Sequence, residues 1–186
     1  ILPSEKPYDQ TTIFETYKAR MPWLLLLMIS ATFTGKIIES FEEELKAYTI
    51  LTAFIPMLMD TGGNAGSQSS VSVIRALSLN DIEFKDIFKV MWKESKVAIL
   101  CSLTLALCNF LKLLIIDRIP LLVSLTVCLT LIVTIILAKL IGCTLPMIAK
   151  KLKFDPAVMA SPFITTIVDA CSLLIYFYIA KLLLGI

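Results

Sequence analysis

The chain has 186 residues, of which 58% are hydrophobic and 17% are charged, with a formal net charge of +2 and a mean hydropathy of +0.86. Soluble domains are typically about 45–50% apolar and about 25% charged, so this composition predicts an all-α, polytopic membrane protein rather than a soluble enzyme or a nucleic-acid reader. The absence of histidine excludes imidazole metal sites and histidine base catalysis. The five cysteines are scattered singly, without the spacing of a disulfide framework.

Five apolar runs are each long enough to cross a bilayer, which takes about 20 residues of helix. They extend over residues 22–38, 48–74, 97–116, 121–148 and 157–184. We therefore predict a five-helix transmembrane domain over residues 21–186, preceded at residues 1–20 by an amphipathic lead-in. Because the chain opens at Ile1 rather than at methionine, we expect it to start at a domain boundary, with a cytosolic part of the parent protein outside it.

The distribution of basic residues predicts the orientation of these spans. Lysine and arginine are concentrated in the N-terminal segment, in the connection between the second and third spans, and in that between the fourth and fifth. The positive-inside rule therefore predicts a cytoplasmic N-terminus in the cell membrane and, after five crossings, a C-terminus outside. Four glutamates at residues 39–44 would then raise the cation concentration at an outer mouth, or simply form a solvated loop.

The fifth run contains an aspartate, Asp169, with no basic residue within two helical turns. An ionisable residue at membrane depth costs about 2.5–3.5 kcal/mol on insertion scales, so it normally faces protein or water. Helical spacing places it on one polar stripe, which has Thr166 at its side and contains Ser161, Thr165, Asp169, Ser172 and Tyr176. We predict that the stripe lines an aqueous path and that Asp169 binds a cation. A protonated carboxyl that is hydrogen-bonded to Asn109 is the alternative.

The second run is interrupted at residues 60–70 by DTGGNAGSQSS, which has three glycines and no bulky apolar side chain. Because glycine costs a helix about 0.8–1.0 kcal/mol relative to alanine, the segment is predicted to break the second span or to pack backbone-to-backbone. A break would present carbonyl oxygens and the Asn64 amide at membrane depth, where irregular backbone occurs only against protein or water. Close helix packing is the alternative for Gly66, Ser67 and Ser69.

The ligands available on these two segments are carboxylate, hydroxyl, amide and carbonyl oxygens, which suit hard cations. Ca²⁺ takes about six to eight oxygens, whereas Mg²⁺ keeps several waters and needs only one or two carboxylates. Two copies of Asp169 that face each other across a dimer axis would therefore fit a hydrated Mg²⁺ ion. Mn²⁺, Co²⁺ and Na⁺ are compatible with the same ligand types.

The sequence FIPMLMDTGGNAGSQSS at residues 54–70, followed by Arg75, resembles the signature of the MgtE magnesium channel family. The sequence FDPAVMASPFITTIVDACSLLIYF at residues 154–177 resembles the last helix of that family, and the resemblance extends from about residue 20 to the end of the chain. It implies a homodimer with one pore between its subunits, lined by the second and fifth spans. It also implies passive, voltage-driven Mg²⁺ entry, gated by cytosolic N-terminal domains.

The resemblance makes Asp169 the selectivity carboxylate and makes Gly62, Gly63 and Asn64 an outer part of the ion site. Together with the stripe, it predicts the metal site from Asp169, Asn64, Gly62, Gly63 and Thr165, and the pore lining from Ser161, Thr166, Ser172 and Asp60. Asp60 stands where some relatives have a small or neutral residue. An extra carboxylate there would broaden ion choice or strengthen cation capture.

Two other functions would use the same carboxylates. A proton- or Na⁺-coupled carrier of divalent cations would transport the ion against its gradient instead of conducting it. An intramembrane aspartyl protease would use Asp60 and Asp169 as its catalytic pair, but neither lies in the Y-D or G-x-G-D context of such enzymes. We therefore predict a transport protein and no enzyme.

Overall fold

The computed structural model describes residues 11–185, apart from the side chains of residues 157–162. Every regular element in this part of the chain is helical. The α-helices are α1 (Ile13–Ser40), α2 (Glu42–Ala47), α3 (Ile55–Ser78), α4 (Ile87–Leu111), α5 (Leu121–Lys151) and α6 (Pro156–Leu184). Short 3-10 helices, Thr49–Phe54 and Phe84–Asp86, precede α3 and α4, and a π-helical segment, Lys112–Ile116, follows α4.

Within the described residues, four helices are long and apolar enough to cross a membrane. They are Ile13–Ser40, Phe84–Ile116, Leu121–Lys151 and Phe163–Leu184. The 24 residues of α3 would extend about 36 Å, but the polar stretch at residues 60–70 makes this helix less apolar than the others. The all-helical membrane fold is confirmed, and the fifth crossing stays a prediction.

α5 is the central helix, because α3, α4 and α6 all pack against it. The core between these helices contains fully or almost fully buried side chains such as Leu58, Val127, Ile135 and Val168. Since lipid tails are as apolar as these side chains, helix association in a membrane depends on tight van der Waals packing rather than on removal from water. Close approach of the helices is therefore what holds the bundle together.

Glycines bring α3 into backbone contact with α5. A Cβ atom at Gly142 on α5 would overlap the carbonyl oxygen of Gly66 on α3, and a Cβ at Gly66 would lie 2.8 Å from Cγ2 of Ile164 on α6. α3 continues without interruption through residues 60–70, so the predicted break in the second span is wrong. Close packing against two helices compensates for the low helix propensity of the glycines, as the alternative interpretation expected.

α1 begins with a capping box, in which Thr12 and Glu15 each accept a hydrogen bond from the other's backbone N–H. The helix passes through Pro22 and shows no boundary at residue 20, so residues 13–20 of the predicted lead-in are its first turns. Residues 1–10 lie outside the described part. No residue of α1 is buried, and the helix packs mainly on α6, so it forms the edge of the bundle.

α4 begins well before residue 97, where the third span was predicted to start. Residues 87–96 contain Lys, Glu, Met and Trp without glycine or proline, and such residues favour continuation of a helix. The first turns of α4 therefore carry lysines on a helix whose later turns are apolar.

We predict that Gly142→Ala lowers the stability of the bundle by about 1–3 kcal/mol, because the new methyl group would push α5 away from the Gly66 carbonyl. Thermal unfolding in detergent, followed by size-exclusion chromatography of the heated samples, measures this change. Gly35→Ala is the matched control, since nothing lies within 4 Å of a Cβ at that position. Equal melting temperatures for the two variants would contradict the proposed packing.

Candidate cation-binding site

A cleft of about 440 Å³ lies between the N-terminal half of α3 and the middle of α6. It is open to the surroundings on one side. Its lining consists of Asp60, Asn64, Ser67, Thr165 and Asp169, together with the less polar Ile55, Pro56, Met59 and Gly63. The cleft therefore has two carboxylates, one amide and two hydroxyls, and no basic side chain among the described residues that line it.

Helical spacing explains why these polar groups meet. Asp60, Asn64 and Ser67 follow one another at intervals of four and three residues, so they share one face of α3. Gly66 lies against Ile164 and Gly62 against Val168, so α3 and α6 run in opposite directions. This antiparallel contact places the polar face of α3 opposite Thr165 and Asp169.

The Asn64 amide is oriented by a hydrogen bond, which its Nδ2 donates to Oδ2 of Asp60 over 3.1 Å. This bond fixes the orientation of the amide, whose Oδ1 atom is its hydrogen-bond acceptor and can accept from a ligand. Asp169 is partly buried, and none of the side-chain hydrogen bonds or ion pairs of the described residues involves its carboxylate. Its oxygens are therefore available to a ligand in the cleft.

Asn109 does not satisfy Asp169. Its Nδ2 lies 3.8 Å from Sγ of Cys128 on α5, which places the amide in the α4–α5 contact. The structure thus gives no support to the alternative in which Asp169 is a packing residue bonded to Asn109.

Only part of the predicted polar stripe on α6 faces the cleft. Ser172 is buried, its Oγ donates to the Val168 carbonyl over 2.6 Å, and it lies beside Gly62. Tyr176 is fully buried and donates to the carbonyl of Leu51 over 3.0 Å. The start of α3 and the preceding 3-10 helix therefore cover the C-terminal half of the stripe, beyond Asp169.

Thr166 lies on another side of α6. Its Oγ1 accepts a hydrogen bond from Ser30 on α1 over 2.8 Å, because one residue along a helix turns the side chain by about 100° away from Thr165. The side chain of Ser161, the remaining predicted pore-lining residue, lies outside the described part of the chain.

The two predicted glycines differ in position. Gly63 lines the cleft, whereas a Cβ at Gly62 would lie 2.8 Å from Cγ2 of Thr134 and 2.9 Å from Cγ1 of Val168, which places it in the packing interface. In a continuous helix their carbonyls accept from the N–H groups four residues later. The structure thus brings Asp169, Asn64, Gly63 and Thr165 together with Asp60, and places Gly62 apart from them.

Two polar features were missed by sequence reasoning. Ser67, for which close packing was the alternative and which was not among the predicted site residues, lines the cleft, and its spacing of three from Asn64 was the available signal. Ser69 donates to Glu94 of α4 over 2.5 Å. Nothing in the sequence pointed to the bond between Ser69 and Glu94, because residues 87–96 resembled a charged connection.

The acidic cluster at residues 39–44 is partly neutralised by lysines. Glu42 pairs with Lys46 at 2.7 Å and Glu44 with Lys181 at 2.8 Å. The hydrogen bond from Lys181 lowers the pKa of Glu44 from its ordinary value, so this ion pair persists at neutral pH and is lost as the pH falls through that lowered pKa. Local ion pairing therefore weakens the field that this cluster can exert on cations.

Across the described residues, no three side chains of the His, Cys, Asp and Glu types come close enough to hold a metal ion together. The oxygen groups of the cleft are therefore two carboxylates, one amide and two hydroxyls rather than a cluster of three acids.

Comparison with known proteins assigns the chain to a family. The model of the MgtE family, described as "Divalent cation transporter", matches residues 55–179, which include every residue that lines the cleft. The chain belongs to the MgtE family. It is 36% identical over 177 residues to the magnesium transporter MgtE of Thermus thermophilus. The aligned region covers 95% of the chain and 39% of that protein.

Two further relatives are also named magnesium transporter MgtE. That of Bacillus subtilis is 37% identical over 177 residues, covering 93% of the chain and 38% of the relative. That of Enterococcus faecalis is 33% identical over 168 residues, covering 88% of the chain and 36% of the relative. The chain thus spans about two-fifths of the length of these relatives. The predicted family is confirmed, and because the relatives are named transporters, so is the expectation of a non-enzymatic protein.

We predict that cysteines placed along the polar stripe of α6 differ in their reactivity, because only some of these positions line the cleft. In a variant whose five native cysteines are replaced by alanine, Thr165→Cys and Asp169→Cys should react with a charged methanethiosulfonate reagent, since both side chains line the open cleft. Ser172→Cys is the matched control on the same helix and should stay unmodified, because Ser172 is 1% exposed. Modification at 172 as fast as at 169 would contradict the site.

Proposed function

We propose that the chain forms the membrane part of a magnesium channel, in which hydrated Mg²⁺ passes along the cleft between α3 and α6 and is selected by Asp169. The observation that carries the proposal is the pair of carboxylates, Asp60 and Asp169, in a cleft whose described lining has no basic side chain. Membership of a family described as divalent cation transporters supports the same function.

The chemistry of the lining favours a hydrated ion. The waters of Mg²⁺ point their hydrogens outward, so they require hydrogen-bond acceptors around them. The carboxylates of Asp60 and Asp169 and the Oδ1 atom of Asn64 are such acceptors. Because Mg²⁺ dehydrates reluctantly whereas Ca²⁺ seeks many direct oxygen ligands, a lining that binds the ion through its waters favours Mg²⁺.

A homodimer would complete this site. The cleft is open on one side, and each chain contributes Asp169 once. We propose that a second copy closes the open side, so that two Asp169 carboxylates face one pore axis and the two copies of α3 and α6 line it. The two Asp169 carboxylates would then flank the hydrated ion, with the two more exposed Asp60 carboxylates at the rim.

We further propose that α3 crosses the membrane as a fifth span, with the N-terminus of the chain in the cytoplasm. Lys150, in the last turn of α5, donates to the Leu77 carbonyl at the end of α3 over 2.7 Å. Nζ of the next residue, Lys151, lies 4.0 Å from the centre of the Phe84 ring. The α3–α4 and α5–α6 connections are thus at one end of the bundle, and the adjoining turns of α4 (Lys89, Lys93 and Lys96) and α5 (Lys150 and Lys151) supply most of the lysines there. A shared basic end supports the positive-inside orientation, and gating by cytosolic N-terminal domains remains the expectation from the family.

We predict that Asp169→Asn reduces Mg²⁺ uptake by proteoliposomes about a hundredfold, because a charge about 4 Å from a divalent ion contributes several kcal/mol at an effective dielectric constant near 20. A magnesium-sensitive dye inside the vesicles measures the flux. Asp60→Asn should reduce uptake less, since Asp60 is exposed at the rim. Thr166→Val, which changes the same helix on the side of α1, is the control and should keep most of the flux.

The assay also separates a channel from a coupled carrier. Uptake should proceed when a potassium diffusion potential is the only driving force and the Na⁺ concentration and pH are equal on both sides. Uptake that requires a Na⁺ or proton gradient would replace the channel with a carrier. Wild-type flux in Asp169→Asn, with a normal size-exclusion profile, would overturn the role of this carboxylate in either mechanism.

A further inference from the structure

A second groove, of about 470 Å³, lies on the surface between the last turns of α3 and the first half of α4. Its polar lining consists of Ser72 from α3 and Lys89, Trp92, Lys93, Glu94 and Lys96 from α4. The groove is separate from the cation cleft: the residues that line the two are different. Its strongly basic composition distinguishes it from the acidic cleft.

The three lysines of the groove share one face of α4, since they are spaced by four and three residues. In the described part of the chain, no carboxylate lies within ion-pair distance of Lys89, Lys93 or Lys96. The positive charge of Lys96 has a cation–π contact, since its Nζ lies 5.1 Å from the centre of the Trp92 ring. Three positive charges are thus gathered without an ion pair among the described residues.

Neighbouring lysines at the same end of the bundle do have partners. Lys85 pairs with Glu83 at 2.9 Å, and Lys150 donates to the Leu77 carbonyl. The single acid in the groove, Glu94, accepts the 2.5 Å hydrogen bond from Ser69 and is drawn toward α3. The groove therefore gathers three lysines without an ion pair to any described residue on one face of α4, at an end of the bundle that also has Arg75, Lys151 and Lys153.

The surroundings of the groove are those of a membrane interface. Phe88 is 80% exposed and Trp92 67% exposed, and aromatic rings are enriched where a helix passes from the head-group region into hydrocarbon. The same helix continues with exposed Leu100 and Leu103. A ligand with an anionic head and apolar chains would match this order of charged, aromatic and aliphatic surface.

We propose that the groove binds the phosphate of an anionic phospholipid, with the acyl chains along the exposed face of α4. Basic pockets between membrane helices are suited to such head groups, and each lysine near a membrane surface attracts anionic lipid. The long apolar stems of the lysines lie along the helix while their ammonium groups reach the phosphate. A soluble phosphate would use the same charges but would leave the adjoining aromatic and aliphatic surface without a role.

Tryptophan fluorescence tests this proposal, because the chain has two tryptophans and Trp92 lines the groove. In a Trp23→Phe variant of the chain in nanodiscs, quenching of Trp92 by phosphatidylglycerol with brominated chains should exceed quenching by brominated phosphatidylcholine. We expect an enrichment of at least about fivefold, the factor that corresponds to one basic residue near a membrane surface. Equal quenching by the two lipids at equal content would overturn the proposal.

Matched variants separate the groove from overall charge. Lys89→Gln, Lys93→Gln and Lys96→Gln together should abolish the preference, whereas the corresponding triple arginine variant should keep it. Lys36→Gln, Lys46→Gln and Lys112→Gln make the same change in net charge elsewhere and should also keep it. Loss of the preference in this last variant would attribute it to net charge and overturn the site. Displacement of the brominated lipid by inorganic phosphate would overturn the assignment to a lipid.

Discussion

The backbone contact between Gly66 on α3 and Gly142 on α5 determines where the polar face of α3 lies. A side chain at Gly142 would overlap the Gly66 carbonyl, and a Cβ at Gly66 would press on Ile164, so α3 is held between α5 and α6 at one rotation. At that rotation Asp60 and Asn64 face Thr165 and Asp169 across the cleft. The glycines therefore act on the candidate site by positioning it, and not by unwinding the helix.

The same packing leaves two carboxylates in one cleft that has no basic side chain among its described lining residues. Asp60 has the Asn64 amide as a donor, while no described side chain pairs with Asp169. Two like charges on facing helices repel each other more strongly than they would in water, because the effective dielectric constant is lower. A bound divalent cation removes that repulsion. An arrangement that is unfavourable in the protein alone is therefore consistent with a site for a positively charged substrate.

Much of the architecture could be predicted from the sequence, because hydropathy and charge placement act locally along each helix. Asp169 and Asn64 were identified because an ionisable or amide group in an apolar run needs a polar environment. The predicted break at residues 60–70 was wrong because glycine propensity describes an isolated helix, whereas Gly142 offers a tertiary contact. The different surroundings of Thr165, Thr166 and Ser172 depend on which helix packs against each side of α6. The sequence of α6 alone does not predict which helices those are.

The central claim is that Asp169 holds a hydrated divalent cation in the cleft between α3 and α6. Anomalous diffraction from crystals grown with Mn²⁺, which substitutes for Mg²⁺ and scatters anomalously, tests it most directly. We predict an anomalous peak beside the Asp169 carboxylate, separated from it by a water shell, and its loss in Asp169→Asn crystals. A Mn²⁺ peak that persists in Asp169→Asn, or a cleft without Mn²⁺ while other sites are occupied, would contradict the account.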